Sequence, residues 1–133
     1  VITDPDREEV GTVQLRLTWE GRHDPLFGDL GEVFSAHTGH SDHVVGLPPG
    51  VALLATGQGC TTQAFKVIDR PVYTTQFHPE LTGAEARARY LSNKSDAAGM
   101  IKAGHGGRAS AFQPGADVSS QLLGAFVDRI VKR

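Results

Sequence analysis

The stretch Tyr73-Thr74-Thr75-Gln76-Phe77-His78-Pro79-Glu80 decides how the rest of the chain is interpreted. Its first half is β-branched and aromatic, which is typical of a strand. Successive side chains of an extended chain point to opposite faces, so we expect His78 and Glu80 to share one face. Pro79 cannot donate to a sheet ladder and predicts that the strand ends there. The pattern indicates either an imidazole–carboxylate pair held for acid–base chemistry or simply a polar strand end.

Composition restricts the class of protein. The 133 residues include 39% hydrophobic and 21% charged residues, which is ordinary for one globular domain. The net charge of -2 predicts no nucleic-acid binding, and no apolar run is long enough to cross a bilayer, so no membrane contact is expected. The single cysteine, Cys60, excludes an internal disulfide. No signal-peptide pattern opens the chain, so we predict a cytoplasmic protein, and a first residue other than methionine suggests a piece of a longer chain.

Short strands dominate the first two thirds of the sequence. Residues Thr12–Thr18 alternate apolar and polar and predict a half-buried strand. Further strands are expected over 32–37, 51–56, 63–68 and 72–78, with one helical turn over 26–30. Strands that follow one another without intervening helices predict antiparallel pairing within one structural unit.

Helices are expected only after Glu80. Thr82 lies three residues before Glu85, which predicts a capping box and a helix over 84–91. We expect residues 93–99 to break that helix and the glycine-rich segment 102–115 to form a mobile loop. Asp117 is expected to cap a last helix with one apolar face, made by Val118, Leu122, Phe126 and Ile130.

Histidine spacing raises the question of a metal site. His37, His40 and His43 are three residues apart, but on a strand His40 would face away from the other two. Ligands that do not converge make a metal site less favoured than polar residues near a strand end, so we predict no metal. His78-Pro79-Glu80 also matches the first half of the zinc nucleobase deaminase motif, but no cysteine follows it to complete a zinc site.

Two other segments invite catalytic interpretations that the residues favour less. Gly104-His105-Gly106-Gly107 lacks the spacing and the following Lys-Ser/Thr of a phosphate-binding loop. Cys60 lies in a predicted hairpin turn with no helix after it, so nothing there would lower the pKa of its thiol. We expect a passive surface thiol.

An ordered set of segments resembles the C-terminal half of class I glutamine amidotransferase domains, closest to the GMP-synthase-like group. The matching segments are Glu9-Val10-Gly11, 13–18, Asp24-Pro25-Leu26-Phe27, 39–44, Leu47-Pro48-Pro49-Gly50, Gln63-Ala64-Phe65 and 76–81. The resemblance covers about residues 5 to 91 and is most specific where it ends, at Gln76-Phe77-His78-Pro79-Glu80. It implies an α/β fold, part of a flavodoxin-like domain, in which β-hairpins precede C-terminal helices.

The resemblance also implies an activity. Members hydrolyse the side-chain amide of glutamine with a Cys-His-Glu triad, in which His78 and Glu80 correspond to the base and its orienting acid. Gly39, His40, Ser41 and Asp42 correspond to the segment whose main chain contacts the glutamine substrate. The implied partners are L-glutamine and a synthase domain or subunit that receives the ammonia. No cofactor is implied.

This chain departs from the family at the nucleophile. It contains no G-x-C-x-G-x-Q motif, and Cys60 lies on the wrong side of the matched segments to replace it. We therefore expect residues 1–133 to be the C-terminal part of a single domain, inactive alone, that pairs with an N-terminal half or forms a homodimer. Two alternatives remain open at this point: a non-catalytic binding or regulatory domain, and a relative of the γ-glutamyl hydrolases.

Overall fold

The computed structural model describes residues 1–102, 108–109, 112–113 and 117–133. Eight strands are assigned within these ranges: β1 (Ile2–Thr3), β2 (Glu9–Leu17), β3 (Val33–His40), β4 (Asp42–His43), β5 (Val51–Thr56), β6 (Ala64–Val67), β7 (Tyr73–Thr75) and β8 (Arg108–Ala109). The α-helices are α1 (Trp19–Arg22), α2 (Gly83–Lys102) and α3 (Gln121–Phe126). Two 3-10 turns, Pro5–Arg7 and Gly28–Leu30, and a π-helical turn, Val127–Val131, complete the regular structure.

A mixed sheet organises the chain in the order β3-β2-β5-β6-β7. Every neighbour along this path is antiparallel, as the sequence predicts, whereas β8 pairs with the first residues of β2 in parallel. Strands β1 and β4 form a separate two-stranded sheet. The β5–β6 pair is the expected hairpin with a long connection.

The core is packed against one face of this sheet. It contains Leu15, Leu17, Leu26, Phe27, Leu30, Phe34, Ala36, Leu54, Ala55, Ala64, Phe77 and Leu122. Phe34 of β3 and Phe77, which follows β7, meet edge to face with ring centroids 5.7 Å apart. This geometry is favourable for aromatic pairs and holds the segment after β7 close to β3.

A buried carboxylate ties the connection after α1 to the β6–β7 hairpin. Asp24 Oδ1 accepts hydrogen bonds from the main-chain N–H groups of Leu26 and Phe27. Its other oxygen lies 2.6 Å from Lys66 Nζ and accepts from the Tyr73 hydroxyl. Burial and the nearby Asp24 charge raise the pKa of Tyr73 to about 12, so the hydroxyl remains a donor. No local pattern in the sequence predicts this contact, because its members are far apart along the chain.

Three predicted boundaries are wrong. The strand expected over 72–78 ends at Thr75, after which only Phe77 forms an isolated bridge, to Thr38. Residues 93–99 do not break the helix, since α2 continues to Lys102. Helix formers around Gly99 outweigh its unfavourable propensity there.

The third correction concerns the last helix. Asp117 does not cap it: the Asp117 carboxylate accepts from the Ser119 main-chain N–H in a turn, and α3 begins only at Gln121. Of the predicted apolar face, Leu122 is buried and Val118 is exposed. Most of the segment 102–115, including Gly104–Gly107, lies outside the described residues. None of the helices in the described ranges combines the length and apolar character that a membrane crossing requires.

Candidate functional site

The strand order brings the segment after β7 across to the end of β3. The main-chain N–H of His78 donates to the His37 carbonyl oxygen at 2.9 Å, and Phe77 bridges to Thr38. Phe77 is buried, so its side chain anchors the segment, and the next residue points outward. His78 is thereby held by its own main chain and by the packing of its neighbour.

His78 and Glu80 form the expected pair. His78 Nδ1 lies 2.9 Å from Glu80 Oε1, with 27% of the histidine side chain and 49% of the glutamate side chain exposed. A carboxylate accepts, so Nδ1 carries the proton and Nε2 is the nitrogen that can take or give one. The pair forms outside regular strand structure, since Pro79 and Glu80 lie in a turn and not in the extended strand that the sequence predicted.

The segment Gly39–Asp42 connects β3 to β4 and is fixed at several points. The Ser41 carbonyl oxygen accepts from the Asp4 main-chain N–H, and Asp42 Oδ1 accepts from the Thr3 hydroxyl at 2.6 Å. The Asp42 carbonyl oxygen accepts from His40 Nδ1 at 3.0 Å. This segment is thus a rigid strand connection.

A small cavity joins the two groups of predicted site residues. His78 and Gly39 both line it, together with Tyr90 and Arg89 of α2. The N-terminus of α2 is fixed beside the cavity by the capping box, in which the Thr82 main-chain N–H donates to Glu85 Oε2 at 2.9 Å. Of the predicted site residues, His78 and Gly39 line this cavity, whereas Glu80, His40, Ser41 and Asp42 are not among its lining residues.

Of the three histidines, His37 lies apart from the other two, which are in contact with each other. His37 is buried with Nδ1 3.0 Å from the Thr12 hydroxyl, and His40 and His43 meet with ring centroids 5.1 Å apart. The strand interpretation placed His40 opposite His43, but β3 ends at His40 and the chain turns before β4. Within the described ranges no three His, Cys, Asp or Glu side chains are grouped as a metal site would require.

Cys60 is not the surface thiol that the sequence predicted. It lies in the β5–β6 connection as expected, but it is buried and its Sγ donates to the Thr62 carbonyl oxygen at 3.4 Å. Burial raises the pKa of the Cys60 thiol, which disfavours the nucleophilic thiolate.

Two buried polar residues near the site were missed as site residues by sequence reasoning. Glu9, at the start of β2, lies 3.0 Å from His40 Nε2, and Gln63, just before β6, donates to the same carboxylate oxygen at 2.7 Å. The available signal was a glutamate at the first position of an alternating strand, directly before the apolar Val10. It could not reveal which distant side chains would surround the carboxylate.

Known proteins match most of the chain. The family described as glutamine amidotransferase class-I matches residues 3–98. A subunit of the glutamine-hydrolyzing GMP synthase of Methanococcus aeolicus is 36% identical over 76 residues, covering 57% of this chain and 40% of that protein. The corresponding GMP synthase subunit of Methanothermobacter thermautotrophicus is 33% identical over 95 residues, covering 71% and 50%.

A solved structure extends the match to the fold. A glutamine amidotransferase of Thermotoga maritima superposes with a TM-score of 0.64 at 18% identity, covering 95% of this chain and 52% of that one. The chain thus spans about half the length of the relatives that it matches.

Proposed function

The chain belongs to the class I glutamine amidotransferase family, and we propose that it is the C-terminal part of one domain that hydrolyses the side-chain amide of glutamine and supplies ammonia to an acceptor. The observation that carries the proposal is the 2.9 Å contact between His78 Nδ1 and Glu80 Oε1 beside the cavity that Gly39 lines. An oriented imidazole next to a main-chain binding segment is what amide hydrolysis by a thiolate requires.

His78 is the proposed proton carrier. A thiolate attacks the amide carbon of glutamine, and His78 Nε2 gives a proton to the departing nitrogen, so that the C–N bond breaks and ammonia leaves. Nε2 then takes a proton from water, whose oxygen attacks the thioester and releases glutamate and the thiolate. Glu80 holds the ring in the tautomer that these steps need and stabilises its charged form.

The proposed glutamine-binding segment is Gly39-His40-Ser41-Asp42. Gly39 lines the cavity, and the hydrogen bonds that hold the segment should lower the entropy lost on binding the α-amino and α-carboxylate groups. Because the His40 ring is already bonded to Glu9 and to the Asp42 carbonyl oxygen, we assign the binding role to the main chain of the segment and not to the His40 side chain.

The attacking thiol is proposed to come from outside the given 133 residues. Cys60 is buried and its thiol pKa is raised, so it cannot replace a thiolate in an elbow between a strand and a helix. Several relatives are named as subunits of a glutamine-hydrolyzing GMP synthase, which supports an ammonia acceptor in a separate synthase domain or subunit here.

The test is glutamine hydrolysis by the full-length protein, from the complete reading frame. We expect His78→Ala to lower kcat by at least about 100-fold, because proton transfer by a positioned side chain contributes roughly 100- to 10,000-fold. His23→Ala is the matched control, since His23 is an exposed histidine stacked on Trp19 far along the chain.

Two outcomes would contradict the proposal. Unchanged turnover in His78→Ala would remove His78 from the mechanism. A full-length protein that binds glutamine without hydrolysing it would instead favour a non-catalytic regulatory domain on the same scaffold.

A further inference from the structure

We propose that Glu9 is a positioning residue that holds the segments Gly39–Asp42 and Gln76–His78 in one fixed relation. The inference rests on the proposed function, in which the first segment binds glutamine and the second supplies the imidazole. Its basis is a closed ring of hydrogen bonds that includes residues of both segments.

The ring contains five hydrogen bonds. Glu9 Oε2 lies 2.7 Å from the donating amide of Gln63 and 3.0 Å from His40 Nε2. His40 Nδ1 donates to the Asp42 carbonyl oxygen at 3.0 Å, and the side-chain amide of Gln76 donates to the same oxygen at 2.8 Å. The Gln76 main-chain N–H closes the ring by donating to the Gln63 carbonyl oxygen at 2.8 Å.

Burial makes the Glu9 end of this ring strong. The side chains of Glu9 and His40 are only 6% and 8% exposed, and Gln63 is fully buried. Hydrogen bonds to an ionised group are roughly twice as strong as neutral ones, and a buried donor that loses its acceptor is costly. The residues of the ring are therefore more stable in this arrangement than in any arrangement in which the Glu9 side chain turns away from His40 and Gln63.

Gly59 keeps the Glu9 carboxylate in place from the other side. A Cβ at position 59 would overlap the Glu9 side chain, so the β5–β6 connection can pack this closely only with glycine there. The Glu9 carboxylate is thus enclosed between the β5–β6 connection and the imidazole of His40.

The ring fixes the two segments through a shared atom. The Asp42 carbonyl oxygen accepts from both His40 and Gln76, so the turn after β3 cannot shift without moving the residue two positions before His78. The proposed binding groups and the proposed proton carrier are therefore positioned as one unit, which lowers the cost of forming the productive geometry.

The test compares Glu9→Gln with wild type in the full-length protein. Glutamine keeps the shape but replaces charge-assisted bonds by weaker neutral ones. We expect KM for glutamine to rise about tenfold while kcat falls less than about threefold, since the group that transfers the proton is untouched. Amide hydrogen exchange should become faster in 39–42 and 76–78 together.

A matched control separates positioning from general stability. Asp24→Asn also neutralises a fully buried carboxylate, here in the connection after α1 and paired with Lys66 at 2.6 Å, but Asp24 has no hydrogen bond to a member of the ring. It should lower the melting temperature without raising KM. An equal rise in KM for Asp24→Asn, or an unchanged KM for Glu9→Gln, would overturn the proposal.

A second pair of variants covers the case in which Glu9→Gln does not fold. Gln76→Ala removes one partly exposed donor of the ring, and Thr74→Ala removes a comparable donor, to the Phe65 carbonyl oxygen, outside it. We expect only Gln76→Ala to raise KM and loosen 39–42. Equal effects of the two variants would contradict the positioning role.

The two proposals fail in different ways. If the wild-type full-length protein hydrolyses no glutamine, the proposed function fails, and hydrogen exchange alone then decides the role of Glu9. Joint loosening of both segments in Glu9→Gln supports that role, and loosening of neither or only one overturns it.

Discussion

Several polar side chains of this chain are buried, and one of them, His43, affects how stability depends on pH. His43 is 2% exposed, and within the described part of the chain neither of its ring nitrogens has a hydrogen-bond partner. Desolvation lowers the pKa of His43 most, followed by the charges of His40 and Arg7, against the opposing effects of Glu9 and Asp4. This residue therefore remains neutral in the folded state at a pH where the unfolded chain begins to bind a proton.

The consequence is a pH-dependent stability. Because the folded-state pKa of His43 is lowered, the unfolded state binds more protons below about pH 6.5, and stability should fall as the pH falls through that value. His43→Phe should weaken this dependence and leave stability at pH 8 equal or higher, since it removes two unpartnered polar atoms. Urea midpoints of both proteins, measured from about pH 5 to about pH 8, test this prediction. The same slope in both proteins would show that other groups cause the effect.

Helix α2 begins close to the position that the sequence predicts, but it ends later than predicted. Its start depends on a contact between neighbours: the Glu85 main-chain N–H lies 3.3 Å from the Thr82 hydroxyl, and both Thr82 donors reach Glu85 Oε2. These hydrogen bonds lower the pKa of Glu85. Such short-range patterns can be read from sequence, whereas the C-terminal end depends on small differences in helix propensity that a single glycine does not decide.

The capping box can be tested directly. Thr82→Ala should destabilise the protein by about 1 kcal/mol, because the first turn of α2 loses an acceptor for one of its N–H groups. Thr82→Ser keeps the hydroxyl and is the control. The measurement is the urea midpoint at constant m value, and equal midpoints for Thr82→Ala and wild type would show that water replaces the cap at no cost.

At the scale of the whole molecule, the mixed sheet places residues from distant parts of the chain at one of its ends. Glu9 opens β2, Gly39 lies at the end of β3 and His78 follows β7, and the order β3-β2-β5-β6-β7 brings all three to one end of the sheet. The match covers about half the length of these relatives, which supports the proposal that the attacking thiol lies outside these residues.

A prediction about activity belongs at this scale. The 133-residue chain alone should release no ammonia from glutamine, because its one thiol is buried and its thiolate is disfavoured. Adding the segment with the nucleophile, in the same chain or as a second one, should restore release. Ammonia can be measured with a coupled dehydrogenase assay. Turnover by the isolated chain that disappears in Cys60→Ser would overturn the assignment of Cys60 as a passive thiol.

Local features could be predicted from the amino-acid sequence: the approximate positions of β2, β3, β5, β6 and β7, the β5–β6 hairpin, the capping box at Thr82 and the proximity of His78 and Glu80. Each depends on residues that are neighbours in the chain, so propensity and alternation are sufficient to predict it. Only the folded chain revealed the burial of Cys60, the ion pair of Asp24 and the surroundings of Glu9, whose partners His40 and Gln63 lie 31 and 54 residues away. Contacts over such separations depend on strand order and register, which local pattern does not specify.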